Sequence, residues 1–207
     1  MIVCRSAAEL EKMREAGRLV GEVLTELASK VAPGISTAEL DELAEKRIAK
    51  RGAVPAFKGY HGYPATICAS INDEVIHGIP SGRRVLVEGD TISLDVGASD
   101  DGYYGDSAIT LAVGRVSEEA ATLLRVTEES LFKAIEQARP GRRLSDISHA
   151  VQHHVEAHGF SIVREFVGHG NGQRMHEEPQ VANYGEPGHG PRLAEGMVLA
   201  IEPMVNA

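Results

Sequence analysis

The first hydrophobic pattern in the chain is that of an amphipathic helix over about residues 6–30. Ser6 and Glu9 have the spacing of a capping box, which marks a helix start. Apolar or small residues then recur every three or four positions, as one face of a helix requires. They are Leu10, Met13, Gly17, Val20, Leu24 and Leu27. A proline and a glycine end this segment.

A pattern of helix, turn and helix occurs twice along the chain. The predicted helices lie at about residues 6–30, 36–52, 117–138 and 145–158. Equivalent positions of the second and fourth helices and of the turns before them are separated by 107 residues. The matching pairs are Pro33 and Pro140, Gly34 and Gly141, Leu40 and Ile147, Ala44 and Val151, Ile48 and Val155, and Gly52 and Gly159. We interpret this as an internal duplication with repeats of about 6–113 and 117–205.

Segments of strand character follow the helices in each repeat. The predicted strands are 65–70, 91–96, 106–113, 161–166 and 197–205, and turns rich in glycine or proline separate them. The predicted fold class is α+β, in which helices flank one face of a largely antiparallel sheet and leave the other face for chemistry. We expect residues 1–207 to form a single domain.

Two aspartates stand out in the predicted hairpin formed by segments 91–96 and 106–113. Asp95 and Asp106 each point away from the apolar face of their strand. A turn centred on residues 100 and 101 places them directly opposite each other, and a turn centred on 101 and 102 places them diagonally on the same face. Two adjacent carboxylates need a metal ion or a shared proton between them. The alternative is two solvated aspartates on an exposed face.

Two further polar clusters follow. His169 and His176 flank a glycine-rich segment that allows the backbone to fold tightly, although both could be ordinary loop histidines. Glu202 ends an apolar segment, where a cation would offset the cost of an isolated charge. Together with Asp95 and Asp106, His169 and Glu202 form an oxygen-rich set with one imidazole. Such a set suits a pair of Mn, Fe, Co or Zn ions, which can activate a shared hydroxide.

Five further histidines outside this ligand set are also candidates for function. His77 sits on a short apolar segment just before a turn. The other four recur at helical spacing on the predicted helix 145–158, and they are His149, His153, His154 and His158. That spacing also permits metal binding, but a polar helix face is more often simply exposed to water.

Charge and cysteine content narrow the class of protein further. The formal net charge of −9 argues against nucleic acid or a membrane surface as a partner held by a broad basic face. The amino terminus becomes charged within a few residues, and no apolar run is long enough to cross a bilayer. Cys4 and Cys68 are too few for a disulfide framework. We expect a cytoplasmic protein.

Several motifs in order along the chain resemble those of bacterial type I methionine aminopeptidases. They are GYHGYP at 59–64, INDEVIHGIP at 71–80, LDVG and GDSA around the two aspartates, GHGNGQRMHEEPQV, and AIEPMVNA at the end. The resemblance covers essentially the whole chain. It implies a pita-bread fold, a curved antiparallel sheet with two halves related by a pseudo-two-fold axis. It also implies removal of the initiator methionine from nascent proteins when the second residue is small.

The resemblance assigns a role to each candidate site residue. Asp95 is expected to bind one metal ion, Asp106 to bridge two, and His169 and Glu202 to hold the other. His176 is expected to stabilise the tetrahedral intermediate, and His77 to contact the substrate near the scissile peptide bond. The family's methionine pocket corresponds to Tyr60, Tyr63, Phe57, Cys68 and Met175. The implied cofactors are two divalent ions, Co, Mn, Fe or Zn.

Three positions depart from the pattern of the best-known family members. Phe57 replaces a smaller residue, Met175 replaces an aromatic one, and Gly97 stands where a hydroxyl residue is common beside the first aspartate. These departures affect the shape of the expected methionine pocket and leave the expected metal ligands in place.

Family chains continue beyond a motif such as IEPMVNA into strands that carry a second bridging glutamate. This chain ends at Ala207, five residues after Glu202. We therefore expect the last strands to be missing and the 207-residue chain to be inactive or nearly so.

The alternatives are an X-Pro aminopeptidase or prolidase of the same fold, or a catalytically impaired module that only binds peptides. The expected partners are N-terminal peptides of nascent proteins, with the ribosome as a further contact, and the chain is expected to be a monomer.

Overall fold

The computed structural model describes all residues from Met1 to Ala207 and contains four main helices and nine strands. The helices are α1 (Ala7–Ala28), α2 (Thr37–Arg51), α3 (Glu118–Gln137) and α4 (Leu144–Ala157). The strands are β1 (Val54–Pro55), β2 (Ile67–Ile71), β3 (Thr91–Asp100), β4 (Tyr103–Ala112), β5 (Ser161–Ile162), β6 (Gly168–Gly170), β7 (Glu177–Val181), β8 (Leu199–Ala200) and β9 (Val205–Asn206). All strand pairs are antiparallel, so the α+β prediction is confirmed.

The chain divides into two compact units. The N-unit comprises Glu9–Ser117 and Gly172–Met175, and the C-unit comprises Met1–Ala8, Glu118–Asn171 and His176–Ala207. Each unit has helices, strands and an apolar cluster of its own.

The N-unit is built on a four-stranded antiparallel sheet. Strand β3 pairs with β4 along its whole length, and its other edge pairs with β2 and then with β1. The apolar residues of β3 alternate along the strand and therefore share one face of the sheet. This face packs against the apolar residues of α1 and α2. The central fully buried side chains are Leu19, Val20, Leu27, Leu40, Ile48, Ile92, Leu94 and Val96. Burial of this face leaves the alternate residues of β3 for polar chemistry.

Helix α2 begins at a capping box formed by Ser36 and Glu39. The Ser36 side chain accepts a hydrogen bond from the Glu39 backbone N–H, and the Glu39 carboxylate accepts one from the Ser36 backbone N–H. The helix ends at Gly52, whose φ of 81° is costly for any residue with a Cβ. The helix predicted over about residues 36–52 is confirmed.

The C-unit contains a three-stranded sheet in the order β7-β6-β8 and a separate pair of β5 with β9. Its apolar cluster joins α4 to residues of these strands. The fully buried side chains of α4 are Ile147, Val151 and Val155, spaced as one helical face. Helix α4 is therefore the element on which the C-unit core is built.

Both units contain the same hydrogen-bonded connection ahead of α2 or α4. In the N-unit, Gly34 N–H donates to Leu86 O at 2.8 Å, and Leu86 N–H donates to Ile35 O at 2.8 Å. In the C-unit, Gly141 N–H donates to Leu193 O at 3.0 Å and Leu193 N–H to Arg142 O at 2.8 Å. Every atom of the first connection has its counterpart 107 residues later in the second.

The strands predicted over 161–166 and 197–205 are shorter than expected. The first covers only β5, and the second is divided into β8 and β9. Pro203 lies in the gap between β8 and β9, where it cannot donate a ladder hydrogen bond. The short strands β1, β6 and β7 were not predicted, because two contain proline and the third is mostly glycine. None of the helices is long and apolar enough to cross a bilayer.

Candidate active site

The hairpin of β3 and β4 in the N-unit carries the two candidate aspartates on one face. Asp106 lies opposite Gly97, and Asp95 lies opposite Ala108, two pairs further along the ladder. The carboxylates are therefore diagonal neighbours, as the second of the two predicted registers requires. Ser93 and Thr110 continue the same face and share a hydrogen bond of 2.8 Å between their hydroxyl oxygens.

The turn between these strands sets their register. Asp101 has φ 48° and Gly102 has φ 78°, so both central residues are left-handed, as a type I′ turn demands. Asp101 also forms an ion pair of 2.7 Å with Lys12 on α1. A turn centred one residue earlier would place Asp101 and Asp100 at those positions, without the glycine that tolerates them.

The C-unit brings His169 and Glu202 together. His169 is 8% exposed, and its Nε2 lies 3.1 Å from Glu202 Oε1. His169 Nδ1 lies 2.9 Å from Gly170 O, and a carbonyl only accepts, so Nδ1 carries the proton and Nε2 presents a lone pair. The rings of His176 and His169 pack edge to face, with 4.3 Å between their centroids.

The surroundings of Glu202 Oε1 indicate whether the C-unit residues fit a cation. This oxygen is buried and has no hydrogen-bond donor, although it lies close to His169 Nε2. At 3.1 Å, this ring nitrogen and this carboxylate oxygen are two metal-ligand atoms close together. A divalent cation is the partner that such an arrangement fits.

Two glycines allow β6 to hold His169 between its neighbours. A Cβ on Gly168 would lie 2.3 Å from Ala200 O, and one on Gly170 would lie 2.2 Å from Glu178 O. His169 itself pairs with Gln180 of β7 and Ala200 of β8. The glycine-rich sequence around His169 is therefore required by close backbone packing on both edges of β6.

His77 in the N-unit has an unusual backbone conformation. Its φ of 60° is left-handed, and its side chain is exposed. The next residue, Gly78, is fixed against β2: Ala69 N–H donates to Gly78 O at 2.8 Å, and Gly78 N–H donates to Ser70 Oγ at 3.0 Å. A Cβ on Gly78 would lie 2.3 Å from Ala69 O. Backbone strain of this kind is typical of functional positions.

Four of the five predicted pocket residues meet in one apolar cluster of the N-unit. Phe57, Cys68 and Met175 are buried there, and Tyr63 packs against them. Tyr60 lies outside this cluster on a short 3-10 turn and is 40% exposed. Because Cys68 pairs with Asp95 across β2 and β3, this cluster lies beside the first aspartate.

Burial controls the ionisation of the polar atoms in this cluster. Desolvation raises the pKa of the Cys68 thiol to about 12, and the negative charges of Asp95 and Asp106 act in the same direction. Burial also raises the pKa of Tyr63. The Tyr63 hydroxyl lies 3.0 Å from Ile67 O and 3.1 Å from Gly78 O, and its one proton serves one carbonyl at a time. Both groups are neutral at physiological pH.

One buried ion pair of the C-unit could not be predicted from the sequence. Arg5 and Glu177 form a salt bridge with side chains 5% and 7% exposed. Arg5 N–H also donates to Gly196 O at 2.7 Å. Glu177 directly follows His176 in the chain, so this pair fixes the backbone beside a candidate site residue. The partners are 172 positions apart, a separation at which no sequence pattern applies.

The pattern that defines metallopeptidase family M24 matches residues 11–207. The chain belongs to metallopeptidase family M24.

Within that family, the chain is similar to methionine aminopeptidases. The chain is 58% identical over 206 residues to the methionine aminopeptidase of Clostridium acetobutylicum, an alignment that covers 100% of this chain and 82% of that protein. It is 58% identical over 207 residues to methionine aminopeptidase 1 of Bacillus subtilis, with 100% and 83% covered. The predicted membership of the methionine aminopeptidases is confirmed.

Solved structures show the same fold. The methionine aminopeptidase of Thermotoga maritima superposes with a TM-score of 0.97 at 47% identity, covering 99% of this chain and 82% of that one. The prolidase of Pyrococcus furiosus superposes with a TM-score of 0.84 at 24% identity, covering 97% and 57%, which shows the fold alone. The pita-bread fold expected from the motifs is thus confirmed.

Proposed function

We propose that this protein is a metal-dependent aminopeptidase that removes the initiator methionine from nascent proteins when the second residue is small. The observation that carries the proposal is the diagonal pair Asp95 and Asp106 on one face of the β3–β4 hairpin, in a chain of family M24. The substrates are N-terminal peptides. We place the reaction in the cytoplasm, where nascent chains leave the ribosome, and propose that one chain acts as a monomeric peptidase domain.

The residues that would hold two divalent ions are Asp95, Asp106, His169 and Glu202. The fit rests on two observations. Asp95 and Asp106 share one strand face, and Glu202 Oε1 is buried without a donor near the lone pair of His169 Nε2. The carboxylates and one imidazole suit Co, Mn, Fe or Zn. When bound, the ions lower the pKa of water so that hydroxide can attack a peptide carbonyl near neutral pH.

The chain's own residues orient the substrate. We propose that His176 donates a hydrogen bond to the oxygen on which charge develops during attack, a contact that is stronger in the transition state than in the substrate. His77 contacts the substrate beside the scissile bond, and its fixed left-handed backbone holds it there without reorganisation.

The apolar cluster of Phe57, Cys68 and Met175, with Tyr63 packed against it and Tyr60 at its approach, is proposed as the methionine pocket. An unbranched thioether side chain gains from burial of its surface and from sulfur–aromatic contact. The neutral thiol and hydroxyl lining the cluster add no charge that would need solvation.

The metal assignment is tested by comparing two amide substitutions in one hairpin. In a chain extended by the further strands that family chains carry, and in metal-replete buffer, Asp106→Asn is expected to lower release of methionine from a Met-Ala peptide by at least about 100-fold, because a carboxylate ligand loses its charge. Asp100→Asn, at the end of the same hairpin, serves as the matched control and should keep wild-type activity. If Asp106→Asn retains most of its turnover, the dinuclear assignment is wrong.

The specificity is tested with a peptide panel. Met-Ala and Met-Gly peptides should be cleaved, and Met-Leu should resist, because a bulky second residue prevents a productive pose beside His77. Similar rates for Met-Ala and Met-Leu would contradict this proposal. Preferential cleavage of peptides with proline in second position and without methionine would instead favour an X-Pro aminopeptidase.

A further inference from the structure

The C-unit carries a second group of metal-binding side chains on the surface where α3 and α4 pack together. The group consists of Glu129 on α3 with His154 and His158 at the end of α4, and we call it the α3–α4 triad. One ligand atom of each residue lies within 4.8 Å of those of the other two. None of these residues belongs to the proposed peptidase site. The triad therefore needs an explanation of its own.

The orientation of His158 leaves one ring nitrogen available as a ligand. His158 Nδ1 lies 2.8 Å from the His154 carbonyl oxygen, which can only accept, so Nδ1 carries the proton. Its Nε2 then presents a lone pair. Metal-binding histidines are commonly fixed in this way, by a hydrogen bond from the other ring nitrogen to a carbonyl.

Glu129 divides its two oxygens between different partners. Oε1 accepts a hydrogen bond of 2.8 Å from Arg125, and Oε2 lies 3.0 Å from His154 Nε2. The Arg125 hydrogen bond is the main reason why the pKa of Glu129 is lowered. The carboxylate is thus charged, and the oxygen that faces the histidines is the one not used by Arg125.

The position of the triad in the fold also favours a cation. His154 lies in the last turn of α4 and His158 directly follows the helix, so both are near the negative end of the helix dipole. Their rings are 4.6 Å apart between centroids, which places them side by side. The partial burial of His154, 17% exposed, reduces screening by solvent.

We propose that the α3–α4 triad is a second metal site that binds Zn²⁺ through one nitrogen of each histidine and one oxygen of Glu129. Two imidazoles and one carboxylate with a water as fourth ligand form a common tetrahedral zinc arrangement. When zinc binds His154 Nε2, the proton that lies between this nitrogen and Glu129 Oε2 moves through water to Nδ1 of the same ring, so the imidazole stays neutral. Because the ligands come from two helices, bound zinc joins α3 to α4 and stabilises the folded state, in which alone the three groups meet.

The test compares exchangeable zinc in the metal-stripped full chain and its variants, measured by competition with a chromogenic chelator. His158→Ala and Glu129→Gln should bind one zinc fewer than the wild type, or bind it at least about tenfold more weakly. His153→Ala is the matched control, because His153 is an exposed histidine of the same helix outside the triad. It should bind as the wild type does.

A second readout separates this site from the peptidase centre. Added zinc should raise the melting temperature of the wild type and of His153→Ala by more than that of His158→Ala. Methionine release with Co²⁺ or Mn²⁺ should be the same in all three proteins. Equal zinc stoichiometry, affinity and zinc-dependent thermal shift in His158→Ala, Glu129→Gln and the wild type would overturn the proposal, whatever the peptidase activity.

Discussion

At the scale of single residues, the large side chain of Phe57 is compatible with the sheet only because residue 97 is a glycine. A Cβ on Gly97 would lie 2.5 Å from Phe57 Cε1 and 3.0 Å from Ala56 Cβ. The Phe57 ring therefore occupies the space that a side chain at position 97 would need. The two departures from the family pattern, a larger residue at 57 and none at 97, are one change in the packing of the apolar cluster.

Gly97→Ala is expected to displace the Phe57 ring and to lower the free energy of unfolding by about 1–3 kcal/mol, the usual cost of overpacking. Phe57→Leu in the Gly97→Ala background should recover part of this loss, because the shorter side chain leaves room for the Cβ. Urea denaturation of both single variants and the double variant measures the coupling. Strict additivity of the two substitutions would mean that the ring and the new Cβ do not meet.

Asp41 in the N-unit provides a pH-dependent test at the same scale. Its Oδ1 accepts hydrogen bonds from the backbone N–H groups of Thr66 at 2.8 Å and Ile67 at 2.9 Å. Burial nevertheless raises the pKa of Asp41 above its usual value of 3.8. Folding thus favours the protonated carboxyl. The corresponding stability is complete below the unfolded pKa and is lost as pH rises through the folded pKa.

Asp41→Asn should therefore gain stability relative to the wild type as pH increases from about 4 to about 7. The asparagine oxygen still accepts both backbone hydrogen bonds, and the amide never ionises. Denaturation curves at several pH values give the difference in unfolding free energy. Asp73→Asn, a change at an exposed aspartate, should show no such trend. A constant difference for Asp41→Asn would show that its burial has no such effect.

At the scale of elements, the backbone around β6 makes a prediction about glycine. Gly168→Ala should cost several kcal/mol, because the Cβ would meet Ala200 O at 2.3 Å, and backbone cannot give way as a side chain can. It should also weaken metal binding, since His169 is the next residue. Gly21→Ala on α1 is the matched control: nothing lies within 4 Å of its Cβ, and alanine should stabilise the helix by about 0.5–1 kcal/mol. Equal thermal stability of the two variants would contradict this account.

The elements also show where sequence reasoning succeeds. The helices were predictable because apolar periodicity, a serine cap and glycine stops coincide at their ends, as around α2. The strand face of Asp95 and Asp106 followed from alternation, but the choice between two registers depended on the φ angles of the turn. Only part of the α3–α4 triad could be predicted from the sequence. His154 and His158 are close in sequence and have helical spacing, whereas Glu129 comes from another helix.

At the scale of the whole molecule, the 107-residue correspondence predicts equivalent core positions in the two units. Leu40 and Ile147 correspond, and each is 0% exposed in the core of its own unit. Leu40→Ala and Ile147→Ala should each lower the unfolding free energy by about 2–5 kcal/mol. Ile135→Ala, at a position 47% exposed, should change it by less than about 0.5 kcal/mol. Chemical denaturation measures all three, and a small effect at only one of the two core positions would contradict their equivalence.

The contact of Arg5 with Glu177 sets an order of events during synthesis. Residues 1–8 belong to the C-unit, yet they are synthesised before the rest of that unit. Arg5 and Glu177 are 172 positions apart, so at about 5–20 residues per second Glu177 is added roughly 10–30 s after Arg5. Throughout this interval Arg5 lacks its Glu177 partner and the C-unit is incomplete, so the first eight residues remain accessible to the enzymes that process new chains.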